Sequence, residues 1–107
     1  SAASDVYKRQ EYYRGLIAVR KFFPQFRMRD AESIRKIRFE TLEDGAVAAD
    51  FGGLLLIVNP AAHPLRYENG RRMMVYADHI TAGTRPLFIA DGAVSVASRG
   101  IILAEYR

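Results

Sequence analysis

Three dipeptides, Asp44-Gly45, Asn69-Gly70 and Asp91-Gly92, constrain the fold of this chain more than anything else in it. A type I′ turn needs two successive residues at positive φ, which Asp-Gly and Asn-Gly adopt at little cost, so each dipeptide predicts a tight antiparallel hairpin. The flanking segments have the period of strands. Ile37 and Phe39 alternate with Arg38 and Glu40, and beyond the first turn Val47, Ala49 and Phe51 alternate with Ala46, Ala48 and Asp50. Asn69-Gly70 separates Leu65-Arg66-Tyr67 from Met73-Met74-Val75-Tyr76, and Asp91-Gly92 separates Leu87-Phe88-Ile89 from Val94-Ser95-Val96. Leu54 to Val58 is continuously apolar, as in a central strand covered on both faces, and Asn59-Pro60 ends it. Ile101 to Tyr106, set off by Arg99-Gly100, supplies the last strand. The expected fold is mainly β, an antiparallel β-sandwich of seven or eight short strands.

Ahead of these strands the period is helical. At 100° per residue, residues 6–23 gather Val6, Tyr12, Tyr13, Leu16, Ile17, Val19 and Phe23 into one broad stripe, with Lys8, Glu11, Arg14, Ala18 and Lys21 opposite. Ser4 or Asp5 is placed to cap this amphipathic helix, and Pro24 stops it. Arg20 falls inside the apolar stripe. Either it snorkels along its methylene stem to the helix end, or its guanidinium binds a carboxylate or carbonyls of a packed neighbour. Asp30-Ala31-Glu32-Ser33-Ile34 reads as a short helix capped by Asp30. Residues 1–5 thus read as a leader, partly of vector origin, 6–23 as the helix, 24–36 as a connector and 37–107 as the sandwich.

A length of 107 residues fits one domain, and a half-hydrophobic composition suits a globular one. No apolar run approaches the roughly 18 to 20 residues of a membrane-spanning helix, so no membrane partner is expected, and the compartment is left open between cytoplasm and exterior. There is no cysteine, which removes disulfides and thiol chemistry. The net charge of +4 is local: residues 1–40 hold ten Lys/Arg against five Asp/Glu, and residues 41–107 hold six against seven. This reads as a solvated basic face, since no nucleic-acid-binding signature accompanies it; a polyanion-binding protein using residues 8–38 is the third reading in rank.

No catalytic constellation is expected. Glu43, Asp44 and Asp91 lie at turns, and Asp30 and Glu32 begin a helix, so none forms the facing carboxylate pair of glycoside hydrolysis. His63 and His79 lack metal-ligand spacing, and Gly52-Gly53 reads as a turn or bulge; no metal or cofactor is called for. Sugar-binding surfaces usually present flat aromatic faces, yet the chain has no Trp, and only Tyr67, Tyr76 and Phe88 are candidates for such a platform.

The segment Tyr12-Tyr13-Arg14-Gly15-Leu16-Ile17-Ala18-Val19-Arg20-Lys21 resembles a Tyr-Tyr-x-Gly-Leu-Ile-x-Leu-Arg-Lys segment near the end of the catalytic barrel in bacterial type I pullulanases of the α-amylase superfamily, with Val19 for the usual leucine. The likeness continues through Pro24, Phe26, Arg27, Arg29, Ala31, Glu32, Arg35, Lys36 and Phe39. Leu55-Leu56-Ile57-Val58-Asn59-Pro60, the Ala82-Gly83-Thr84-Arg85-Pro86-Leu87 loop and the closing strand Ile101 to Arg107 also resemble that family, in register from about residue 6 to the end. The helix motif is shared by many α-amylase relatives; the Ala-Gly-Thr loop is what favours pullulanases. The resemblance implies the last barrel helix and C-terminal β-domain of an enzyme that hydrolyses α-1,6 links in α-glucans. A (β/α)₈ barrel needs roughly 200 residues or more, and none of its strands is in this sequence, so no catalytic residue is carried over.

The implied role is a non-catalytic brace, with Tyr12, Tyr13, Leu16, Ile17, Val19, Arg20 and Phe23 packing on the parent's barrel. The rival is an α-glucan-binding module. Without the barrel, the stripe must find other cover, either by folding back on the sandwich or by pairing two copies into a homodimer.

Overall fold

A computed structural model describes residues 2–27 and 30–107. Helix α1 spans Ala2–Phe22, so it begins ahead of Ser4 and Asp5, the two expected caps. Alanines at positions 2 and 3 are the best helix formers and carry the helix past the expected start. Phe23 still donates its N–H to the Val19 carbonyl at 3.1 Å, after which Pro24 opens a 3₁₀ turn over Pro24–Arg27. The Arg27 guanidinium donates to the Lys21 carbonyl at 2.6 Å, covering one of the orphan acceptors at the helix end. Helix α2, Ala31–Arg35, begins at Asp30, whose carboxylate accepts from the Ser33 N–H at 2.7 Å; that bond holds the Asp30 carboxyl below the usual carboxylate range.

The rest is antiparallel β structure: β1 Arg38–Thr41, β2 Val47–Asp50, β3 Leu54–Asn59, β4 Leu65–Ala77, β5 Phe88–Val96 and β6 Gly100–Tyr106. They form one hydrogen-bonded sheet in the order β1-β2-β3-β6-β4-β5. The mainly β, antiparallel fold with one long N-terminal helix is as the sequence implies, but among the described residues the strands number six, not seven or eight. The difference lies in two of the three glycine dipeptides. Asp44 and Gly45, at φ 53° and 81°, do turn the chain between β1 and β2. Asn69-Gly70 and Asp91-Gly92 do not; each lies within a single long strand.

These two dipeptides face one another in the β4–β5 hairpin, whose register shifts between Glu68↔Ala93 and Arg72↔Asp91. Gly70 and Gly92 have φ of 69° and 82°, and a methyl group added to Gly92 would lie 3.9 Å from the Gly70 Cα. The same capacity for positive φ that makes a turn makes a bulge when a partner strand continues alongside. The real hairpin connection is the loop 78–87, where the Asp78 carboxylate accepts from the N–H groups of Ile80 and Thr81 at 2.8 and 2.7 Å.

Bending at Gly70 and Gly92 folds the far end of the hairpin over the other strands. Leu65, Tyr67, Val94 and Val96 join Ala48, Leu55, Ile57, Ile102 and Ala104 in one buried cluster, and the Tyr67 hydroxyl reaches Glu40 of β1 at 3.5 Å. One continuous sheet thereby encloses an inner core like that of a two-layer sandwich. Asn59, 2% exposed, locks the fold: its side-chain amide lies 2.9, 3.3 and 3.1 Å from the carbonyl oxygens of His63, Val96 and Ala97, and its oxygen accepts from the Ala61 N–H. The opposite end is tied by Asp50, whose carboxylate accepts from the Gly52 and Gly53 N–H groups and from the Tyr106 hydroxyl. Gly52 and Gly53 form the β2–β3 turn at φ 88° and 91°.

Replacing Gly70 by Ala is expected to lower stability by about 1–2 kcal/mol, the cost of a Cβ in the left-handed region, because nothing crowds the added methyl. Urea unfolding measures this, and an unchanged midpoint would deny that the bend depends on positive φ. The Tyr106 phenol is pushed above its ordinary pKa by its bond to the Asp50 carboxylate and then by burial, so it contributes stability while neutral in both states. Above about pH 10 the unfolded chain ionises first and that contribution is lost as pH rises through the folded value. Stability measured against pH should therefore fall there, less steeply in Tyr106→Phe than in the parent sequence.

Candidate docking interface of the N-terminal helix

Helix α1 lies across the outer face of the sheet through Tyr12, Leu16, Val19 and Phe23, one side of the stripe read from the sequence. Val19 and Phe23 are buried with Leu54, Tyr76, Ala77 and Leu103, and Leu16, Phe26, Phe51 and Leu56 close around them. The Phe23 ring meets Tyr76 edge-on, with centroids 4.9 Å apart, a geometry that adds to area burial. Strand β3 is thus covered on both faces along most of its length, inside by the folded sheet and outside by α1.

The helix approaches the 78–87 loop through two residues chosen for reach and for absence. The Tyr12 hydroxyl donates to the Asp78 carbonyl at 2.7 Å; desolvation, and then the charge of Asp78, raise the pKa of this phenol. One turn on, a Cβ at Gly15 would stand 1.9 Å from the Ala82 carbonyl oxygen, so only glycine admits the contact. The Tyr-Tyr-x-Gly segment of the helix and the Ala-Gly-Thr loop, far apart in sequence, therefore meet in space.

The other side of the stripe is bare. Tyr13 and Ile17 are 60% and 56% exposed. Between this side and the sheet runs an apolar groove of about 260 Å³, lined by Leu16, Val19, Phe26, Leu56, Ile101 and Leu103 with Arg20 among them. Arg20 is exposed and makes no hydrogen bond or ion pair among the described residues, so no carboxylate or carbonyl of those residues holds it there. Folding back on the sheet covers Tyr12, Leu16, Val19 and Phe23; it does not cover Tyr13 and Ile17. The sheet half of the groove went unread in the sequence, where Leu54 to Val58 implies full cover on both faces. Val58 is 41% exposed and Val47, its partner across the β2–β3 ladder, 37%, and neither joins the cluster that packs under α1.

The three aromatic candidates for a sugar platform are dispersed. Tyr67 is buried in the inner core, Tyr76 in the outer one against Phe23, and Phe88 stands 43% exposed on the edge strand β5. Among the acidic residues, Asp44 contacts His63 at 2.9 Å on the surface, Asp91 approaches Arg72 at 3.8 Å, and Asp30 caps α2. His79 is exposed in the 78–87 loop. No group of three or more metal-ligating side chains converges among the described residues, and no helix is long and apolar enough to cross a membrane.

No family model and no curated protein matches this sequence. In fold, the chain is similar to part of the pullulanase from Bacillus acidopullulyticus, with a TM-score of 0.74 and 18% identity over 85% of this chain. That match spans 13% of the pullulanase chain.

Gly15→Ala is expected to separate α1 from the loop and to lower stability by about 2–3 kcal/mol, as overpacking against backbone does. The change should perturb the NMR environments of Tyr76 and Phe23 more than those of Val94 and Val96. A variant with an unperturbed Tyr76 would show that the helix docks without this contact.

Proposed function

We propose that this chain is a non-catalytic β-domain of a larger, pullulanase-like α-glucan hydrolase, and that it braces the catalytic barrel through the outer side of α1. The observation that carries the reading is the half-used stripe: one side holds the helix to its own sheet, while Tyr13 and Ile17 lie open beside an apolar groove. Contiguous exposed apolar surface of this kind is uncommon on a protein that works alone. The likeness in fold to a small part of a pullulanase supports the choice of parent, and the meeting of Tyr12 and Gly15 with the Ala82 loop supports the sequence resemblance, since the matched motifs form one contact.

Chemistry by this chain alone is not expected. At 107 residues it has no room for a (β/α)₈ barrel, and Asp30, Asp50 and Asp78 serve a cap and two turns. The burial of Tyr67 and Tyr76 argues for bracing over α-glucan binding. The purified chain should release no reducing ends from pullulan and should migrate unretarded in starch and pullulan gels. Deleting the domain from the parent enzyme should lower that enzyme's melting temperature. Debranching by the chain alone, or a parent equally stable without it, would refute the proposal.

A further inference from the structure

The groove beside α1 has a size and a charge that specify what fills it. Sites for small organic ligands run to about 300–1,000 Å³, and this groove, at about 260 Å³, is smaller. It is the size for a few bulky side chains of a packed element. Its walls, Leu16, Leu56, Phe26, Ile101 and Leu103, offer no polar side chain, so those side chains must be apolar.

Arg20 is the exception on that wall. A guanidinium brought against a protein partner loses water on docking and is stable there only if a carboxylate or several carbonyls replace it. A second copy of this chain is a poor source. Over residues 6–22, Arg9 falls beside Arg20 on the groove side of α1 at 100° per residue, and the acidic residue there, Glu11, lies on the opposite face, so a symmetric pairing through the groove would bring like charges together. A phosphate polyanion would satisfy the cations and leave the groove empty.

We infer that the groove docks an apolar helix of another protein domain that presents a carboxylate to Arg20, and that this ion pair selects the partner. The inference deepens the bracing reading and rests on it in one respect, that the bare side of α1 meets protein. Arg20 then acts as the charge that rejects basic partners, while Leu56 and Ile101 receive the apolar side chains.

Two side-chain-stapled helical peptides test this, one of Leu and Ala flanked by Glu, the other identical with Lys at every Glu position. Titrated into the isotope-labelled chain, the Glu peptide should shift the amides of Leu16, Arg20, Leu56 and Ile101 and bind at least about tenfold more tightly than the Lys peptide, the scale of one close charge pair across an interface. Arg20→Glu should reverse the order. Both Arg20 and Ile17 are exposed, so Arg20→Glu and Ile17→Ser should keep the native fold, and Ile17→Ser should weaken both peptides alike. Equal affinities, absence of binding, shifts confined elsewhere, displacement of the Glu peptide by duplex DNA, or a dimer of the chain that occupies these residues would each overturn the inference. A charge preference that holds while domain deletion leaves the parent enzyme's melting temperature unchanged would spare the groove and refute the brace.

Discussion

Everything in this structure depends on the bend that Gly70 and Gly92 place side by side in the β4–β5 hairpin. A flat six-stranded sheet would have two open faces, and α1 is the long helix available to cover one of them. Because both strands take up positive φ at the same level, the far end of the hairpin swings over β2, β3 and β6 and buries the inner face without a second sheet. The outer face is then free for α1, and the helix has a fixed floor of Leu54, Tyr76 and Leu103 to rest on.

The placement of α1 follows from the same geometry. The 78–87 loop closes the bent hairpin, and its Asp78 and Ala82 meet Tyr12 and Gly15. Helix and sheet are therefore joined through side-chain and backbone contacts at one end of the hairpin. An element that packs on its own sheet by one side and stays apolar on the other is suited to lie between two domains. The groove and Arg20 give that surface a shape and a sign.

Several local features were legible from residue type alone. Asp30 caps α2 because its short carboxylate reaches the Ser33 N–H, and Asp44-Gly45 turns because both residues tolerate positive φ. The apolar stripe of α1 was legible as a stripe, but not its division. Tyr12 and Tyr13 are adjacent and chemically identical, yet one is tied to Asp78 and the other is 60% exposed. Nothing local distinguishes them, since the difference is the position of a loop 66 residues away.

The glycine dipeptides mark the same boundary. What the sequence by itself determined is that Gly45, Gly70 and Gly92 take positive φ, that the helix stops at Pro24, and which residues are apolar, since those follow from the covalent chemistry of each side chain. Only the tertiary structure decided that Asn69-Gly70 and Asp91-Gly92 bend a strand pair instead of ending it, that Tyr67 and Tyr76 are buried in separate cores, and that Arg20 lies open beside a groove. Those outcomes depend on which strand runs alongside, and pairing is a property of segments distant in sequence, settled by the burial of both faces of one sheet.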